Sequence, residues 1–227
     1  GNHALIYYDP LNKSSHRFTF PNQNTIGNFE MQDAGEQGMF FLTPGGEILL
    51  FNRDKLEMTR INQMKPFSED LPNQLFFHLL LDKDGILWLA STGSGVYRVN
   101  FPKKQFQLLT DVSPVPVSTE KQTSWNQGIR ALYQAQNGDI WVGTHGNGLF
   151  LLDKSDGLFH LHTPENVLSG ENIRVLGETP SGNLLIGTGH GLSMLDKKNG
   201  KIINFNSNTG FPLTLVNRKS LHVSCNH

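Results

Sequence analysis

Few residues of this 227-residue chain have types and spacings that could do chemistry. Gly143-Thr144-His145-Gly146-Asn147-Gly148 is glycine-rich in the manner of a phosphate-binding loop, and His160 and His162 alternate on a strand-like run in the manner of a metal pair. Neither carries through. No helix is predicted after the glycine run, and no Lys-Ser/Thr pair closes it. Its analogues at Gly93-Ser94-Gly95 and from Gly187 to Gly191 point to turn geometry instead. Zinc needs further clustered ligands beside two histidines, and the sequence shows none. Ser91 and Ser94 lack the elbow pattern of a nucleophilic serine. The reading is therefore no catalytic residue, no metal site and no cofactor.

Binding is a better prospect. Arg130, Arg174 and Arg218 fall at one position of a repeat, each opening a predicted strand. They can ring a channel and hold an anionic or polyhydroxylated ligand, or cap carbonyls and pair with acids such as Glu171. Their periodicity favours the structural role, and the ligand role stays open. The stretch from Thr110 to Gly128 is stiffened by Pro114 and Pro116 and ends in Trp125, Asn126 and Gln127. Those three suit stacking on a sugar and hydrogen bonding to it; the alternative is a tolerated surface insertion with Trp125 folded onto its neighbour. His145 and Asn147, in a turn expected on the same face, complete the candidate ligand set.

The elements that position these residues repeat. Gly46-Glu47-Ile48-Leu49, Gly85-Ile86-Leu87-Trp88, Gly138-Asp139-Ile140-Trp141 and Gly182-Asn183-Leu184-Leu185 align, at intervals of 39, 53 and 44 residues (46 to 85, 85 to 138, 138 to 182). A strand precedes each glycine, as at Arg130-Ala131-Leu132-Tyr133. A third follows, as at Val96-Tyr97-Arg98-Val99, Leu149-Phe150-Leu151-Leu152 and Leu192-Ser193-Met194-Leu195, and then a fourth, as at Phe159-His160-Leu161-His162. Four short antiparallel strands per 40–50 residues signal a β-propeller blade. An up-and-down barrel would not require a four-strand period.

The fold class expected is all-β, a partial propeller over residues 1–227 of about five blades, two of them incomplete. Residues 1–22 read as the tail of a blade and 23–63 as a degenerate one, losing the pattern after Leu50. Residues 64–111 form a blade, 112–166 a blade reached through the long loop 110–128, 167–208 a blade, and 209–227 the first strand of the next. The loops expected to share one face are 110–128, 163–172 and 207–217, with turns 91–95, 144–148 and 188–191. Trp88 and Trp141, being periodic, are expected to pack between blades. An open fan would leave apolar sheet faces in water, so residues 1–20 are expected to close with 218–227, or the ends to associate, most simply as a homodimer.

Composition narrows the partners. The chain is 37% apolar and 17% charged with net charge −1, which offers no basic field for nucleic acid. Its one cysteine, Cys225, excludes an internal disulfide framework. The apolar runs, such as Leu75 to Leu81 with His78 inside it, are too short and polar for a membrane span, and no signal peptide is seen.

The segments Asp84-Gly85-Ile86-Leu87-Trp88-Leu89-Ala90-Ser91-Thr92-Gly93-Ser94-Gly95-Val96-Tyr97-Arg98 and Asn137-Gly138 through Leu149 resemble the two-component regulator propeller repeat, with its D-G-x-[LI]-W-[IV]-G-T core and following G-[GL]-[LV] turn. The 174–205 unit departs from it at Leu185, where the repeat has Trp, and the first unit lacks the glycine turn. The resemblance implies a non-catalytic periplasmic sensor region of a bacterial hybrid histidine kinase. It implies an oligosaccharide ligand, signalling through propeller packing or dimerisation, and a membrane anchor and kinase elsewhere in the parent. Seven blades per propeller are usual in that family, so the chain reads as a fragment. The alternatives are a propeller enzyme, such as a streptogramin-type lyase, and a protein-interaction scaffold.

Overall fold

The computed structural model describes residues 4–19, 29–61, 76–91, 93–100, 105–109, 128–163, 167–170 and 172–210. Its regular structure among these residues is strand, with single turns of 3-10 helix at Gly35–Gln37 and Ser207–Thr209. Among these residues no helix is long and apolar enough to cross a membrane. The chain divides into two compact units, residues 1–76 and 77–227.

The first unit holds the hairpin β1 (Ala4–Asp9) and β2 (Ser14–Thr19), and a four-stranded antiparallel sheet of β3 (Glu30–Asp33), β4 (Met39–Leu42), β5 (Ile48–Asn52) and β6 (Glu57–Arg60) in sequential order. Alternation decides how the hairpin sits. Leu5, Tyr7 and Phe18 face a core of Phe41, Leu49 and Phe51, whereas Ile6 and Tyr8 face outward. Phe51 takes Phe18 edge-on at 4.9 Å and Tyr7 at 5.7 Å between ring centroids.

The described residues of the second unit form three blades. They are β7 (Phe76–Leu81) to β10 (Gln105–Leu109) with β8 (Ile86–Ser91) and β9 (Val96–Asn100) between; β11 (Ile129–Gln134), β12 (Ile140–Thr144), β13 (Leu149–Leu152) and β14 (Phe159–Thr163); and β15 (Ile173–Glu178), β16 (Leu184–Thr188), β17 (Gly191–Leu195) and β18 (Ile202–Phe205). The second strands β8 and β12 are buried at every residue, and β12 is covered on its two faces by the blades on either side of it. Trp88 lies in a core shared by the first two blades, with Ile86, Ile129, Leu132 and Ile140. Trp141 lies in the next such core, with Ala131, Ile173, Leu176 and Leu184. Both tryptophans pack between blades, as their periodicity requires. Gly143 marks how close the sheets come: a Cβ there would lie 2.3 Å from Cγ2 of Ile173 on the adjoining blade.

One alignment is corrected. Gly46 does not share the position of Gly85, Gly138 and Gly182. It closes the turn between β4 and β5, the second and third strands of their sheet, whereas the other three close turns between first and second strands. The slip has a local cause. In the first unit Thr43 N–H donates to Glu47 O and Gly46 N–H to Thr43 O, and the same two bonds form at 82–86, 135–139 and 179–183. One turn type serves two positions, so the turn alone does not say which strands it joins. Residues 51–60, where the pattern was expected to degenerate, complete β5 and form β6.

The corner between third and fourth strands is held by a side chain. Its first residue accepts the N–H two residues on: Asn52 from Asp54 at 3.0 Å, Asp153 from Ser155 at 2.7 Å and Asp196 from Lys198 at 2.9 Å. Such side-chain turns are why Asp and Asn recur at corners. Asp9 does the same with Leu11 at 2.9 Å in the β1–β2 hairpin.

Candidate functional site

Antiparallel order sets two ends for each blade of the second unit. One end carries the turns after the first strand (82–85, 135–138, 179–182) and the corners before the fourth. The other carries the turns between second and third strands and the start of each first strand. Of the candidate ligand residues, Arg130, Arg174, His145 and Asn147 belong to this second end.

Arg130 and Arg174 are placed there by a shared irregularity. In the ladder of β11 with β12, Ile129 faces Thr144 and Ala131 faces Gly143, so Arg130 is the extra residue of a bulge. Arg174 is the extra residue of the matching bulge between Ile173 and Val175. A bulge turns a side chain out of the regular alternation and is common beside functional sites. Arg130 lies 4.8 Å over the ring of Phe77, a cation–π contact. The Arg174 guanidinium runs along the Gly189 turn of its own blade.

His145 is exposed, and its N–H donates to Gly128 O at 2.9 Å. It also bridges to Asn172, tying the second-to-third-strand turn of one blade to the start of the next. Asn147 N–H donates to Thr144 Oγ1 at 3.1 Å, while that hydroxyl donates to Gly148 O at 2.7 Å. The backbone thus holds both residues at one rim. Trp125, Asn126, Gln127 and Arg218 lie outside the described residues.

The histidine pair comes apart. His160 Nε2 meets Asp156 Oδ2 at 2.7 Å, whereas His162 turns to Thr163 Oγ1 at 3.0 Å and sets its ring edge-on to Trp141. Among the described residues, Asp153, Asp156 and His160 form one group with metal-ligand atoms within 4.8 Å of each other. Asp153 is already held by the N–H and hydroxyl of Ser155, which keep its carboxyl below the usual range. Neither aspartate is buried, so the group has the ordinary features of a solvated corner.

The opposite end holds a cleft that sequence reasoning missed. It has a volume of about 260 Å³ and lies between the first two blades of the unit. Asp82, Trp88, Arg98 and Gln107 line it from one blade, and Gln134, Asp153 and Lys154 from the other, above apolar walls that include Ile86 and Ile140. The buried Asp82 takes the Trp88 indole N–H at 2.6 Å and the Ile86 N–H at 2.8 Å. Arg98 stacks on the Trp88 ring at 5.8 Å, and its Nε is buried with no hydrogen-bond acceptor. A signal was available in the repeat: Arg98 aligns with Leu151 and Met194, so a charge replaces a periodic apolar residue.

The two-component regulator propeller family matches the chain at residues 70–93 and 124–146. No curated protein matches the sequence. Among solved structures, the chain is similar to the extracellular domain of the hybrid two-component system BT4673 from B. thetaiotaomicron, with 19% identity, 83% of this chain and 23% of that one covered, and TM-score 0.61. The extracellular domain of BT3049 from the same organism matches at 15% identity, over 90% of this chain and 30% of that one, with TM-score 0.59. A catalytically inactive virginiamycin B lyase from Staphylococcus aureus with quinupristin matches at 12% identity, over 89% and 62%, with TM-score 0.59. These likenesses establish the propeller fold. The chain spans about a quarter of the length of the extracellular domains it matches.

Proposed function

We propose that this chain, which carries two-component regulator propeller repeats, belongs to the extracytoplasmic, periplasmic sensor region of a hybrid two-component system and acts without catalysis. The observation that carries this reading is the family match, whose described parts fall on β7–β8 and on β11–β12. The ligand is an oligosaccharide, received at the end where Arg130 and Arg174 are turned out by their bulges and His145 and Asn147 stand at the rim. Guanidinium groups suit this role, since their fixed fork of donors matches hydroxyl and acidic oxygens. Trp125, Asn126, Gln127 and Arg218 belong to the same proposed set. Binding alters how blades or chains pack, most simply in a homodimer, and the change passes to a kinase elsewhere in the parent.

Titration calorimetry of the whole extracytoplasmic region against an oligosaccharide panel tests this. Saturable binding to one sugar class is expected, weakened at least about tenfold when Arg130 and Arg174 are both replaced by alanine. Silence across the panel would sink the sugar-sensing reading.

The lyase likeness supports a second reading, a propeller enzyme. It would need His145, His160, His162 or His190 in a working constellation. Replacing each with alanine, without loss of any lyase activity measured in the parent, would remove it.

A further inference from the structure

The three blades of the second unit form two crevices, and comparing them isolates one unusual set of charges. In the crevice between the 129–163 and 173–205 blades, Glu178 closes the space. Its side chain is 1% exposed, accepts the Gln136 N–H at 2.7 Å, and pairs with the ammonium of Lys197. In the crevice between the 76–109 and 129–163 blades the equivalent residues are Gln134, Lys83 and Lys154. Gln134 accepts the Lys83 N–H at 2.8 Å, so the bond between blades is kept. The carboxylate is not. Lys154 keeps the position of Lys197, yet among the described residues it pairs with no acid.

One more substitution points the same way. Arg98 brings a second cation where the other blades have Leu151 and Met194, and its buried Nε has no acceptor. A buried donor left unsatisfied weakens the fold. Asp82 already accepts from the Trp88 indole and from the Ile86 and Asp84 N–H groups. The adjoining crevice places a carboxylate at this position, whereas here the position holds the neutral amide of Gln134.

We propose that the cleft beside Arg98 binds the carboxylate of a small polyhydroxylated acid of hexuronate size, held between the guanidinium of Arg98 and the ammonium of Lys154. The volume of about 260 Å³ lies just under the roughly 300 Å³ at which drug-sized pockets begin and suits a single six-membered ring. Asp84 and Gln107 at its lining offer oxygens to hydroxyl groups, and Ile86, Leu109, Ile140 and Leu152 offer an apolar wall to ring carbons. The site lies at the end opposite the bulged arginines. It does not rest on the sensor reading, since it concerns direct binding by this chain.

The test is calorimetric titration of the 227-residue chain with sodium D-glucuronate at low ionic strength, with D-glucose as the neutral control. Saturable binding of glucuronate at a Kd of about 1 mM or tighter is expected, weakening with salt, with no saturable heat from glucose. Arg98→Leu, which installs the neighbouring blade's residue, should weaken it at least about tenfold. Gln134→Glu should do the same by supplying an internal carboxylate to Lys154, while its oxygen still accepts the Lys83 N–H and preserves the fold. The Arg98 Nε–H resonance should shift on adding glucuronate. Equal heats from glucose and glucuronate would overturn the proposal, as would unchanged binding in Gln134→Glu or an unmoved Arg98 resonance at saturation. An oligosaccharide panel that stays silent while glucuronate binds would remove the sensor reading and leave this one standing.

Discussion

The indole N–H of Trp88 donates to the carboxylate of Asp82 at 2.6 Å, and the next blade repeats the tryptophan without the acid. Ala135 stands at the position of Asp82, and the indole nitrogen of Trp141 is buried with no hydrogen-bond partner. The third blade resolves the mismatch by other means, with Leu185 in place of tryptophan. The two tryptophans fill matching space but differ in their polar accounts.

Trp88→Phe should therefore cost more than Trp141→Phe. Both lose a ring's worth of packing, but the first also leaves a buried carboxylate oxygen of Asp82 unmatched, a difference of about 1–3 kcal/mol. Urea denaturation of the two variants checks this. Equal losses would show that the Asp82 bond contributes nothing net.

Lys197→Met should be among the most damaging changes outside the apolar core. It strands the Glu178 carboxylate at 1% exposure, and breaking a buried pair from one side costs about 3–5 kcal/mol. Glu178→Gln reproduces the arrangement at Gln134, keeps the bond to the Gln136 N–H, and should cost less. The double variant should recover part of the Lys197→Met loss, which a thermodynamic cycle would measure.

Acid stability should have a step belonging to His162. Burial of its ring against Trp141 holds its pKa below the usual histidine value. The unfolded chain therefore takes up this proton at higher pH than the folded one. The stabilisation is complete above the ordinary histidine pKa of about 6.5 and is lost as pH falls from there through the folded value. His162→Gln should flatten that part of the pH–stability curve. The lower-pH loss due to Asp153 should remain, because its carboxyl is held down by Ser155 and protonates later. Unfolding curves taken between the two ranges separate them.

The period, the four-strand unit and the packing role of the tryptophans were legible because they rest on repetition, and repetition survives without coordinates. Gly46 was misplaced for the opposite reason. Its turn makes the same two hydrogen bonds as the turns at Gly85, Gly138 and Gly182, and a local pattern cannot report which strands it joins. The side-chain turns at Asn52, Asp153 and Asp196 do not settle it either, since Asp33 and Asp82 accept the N–H two residues on at first-to-second-strand turns. Arg130 and Arg174 were visible as a periodic position, but their bulges were not, because a bulge is a property of the ladder between two strands. The cleft was missed although Arg98 stood aligned with Leu151 and Met194. What makes that departure meaningful is Lys154, more than fifty residues away in sequence and on the other wall.

The two joints of the second unit also differ as mechanical parts. At each, one blade hands a turn N–H to the last residue of the next blade's first strand, Lys83 to Gln134 and Gln136 to Glu178. The Glu178 joint is further clamped by an ion pair, whereas the Gln134 joint is closed by a neutral amide beside an open cleft. The Gln134 joint, tied also by His78 Nε2 to Leu132 O at 3.0 Å, lacks the Glu178–Lys197 pair, and an acid seated beside it would act as a removable splint.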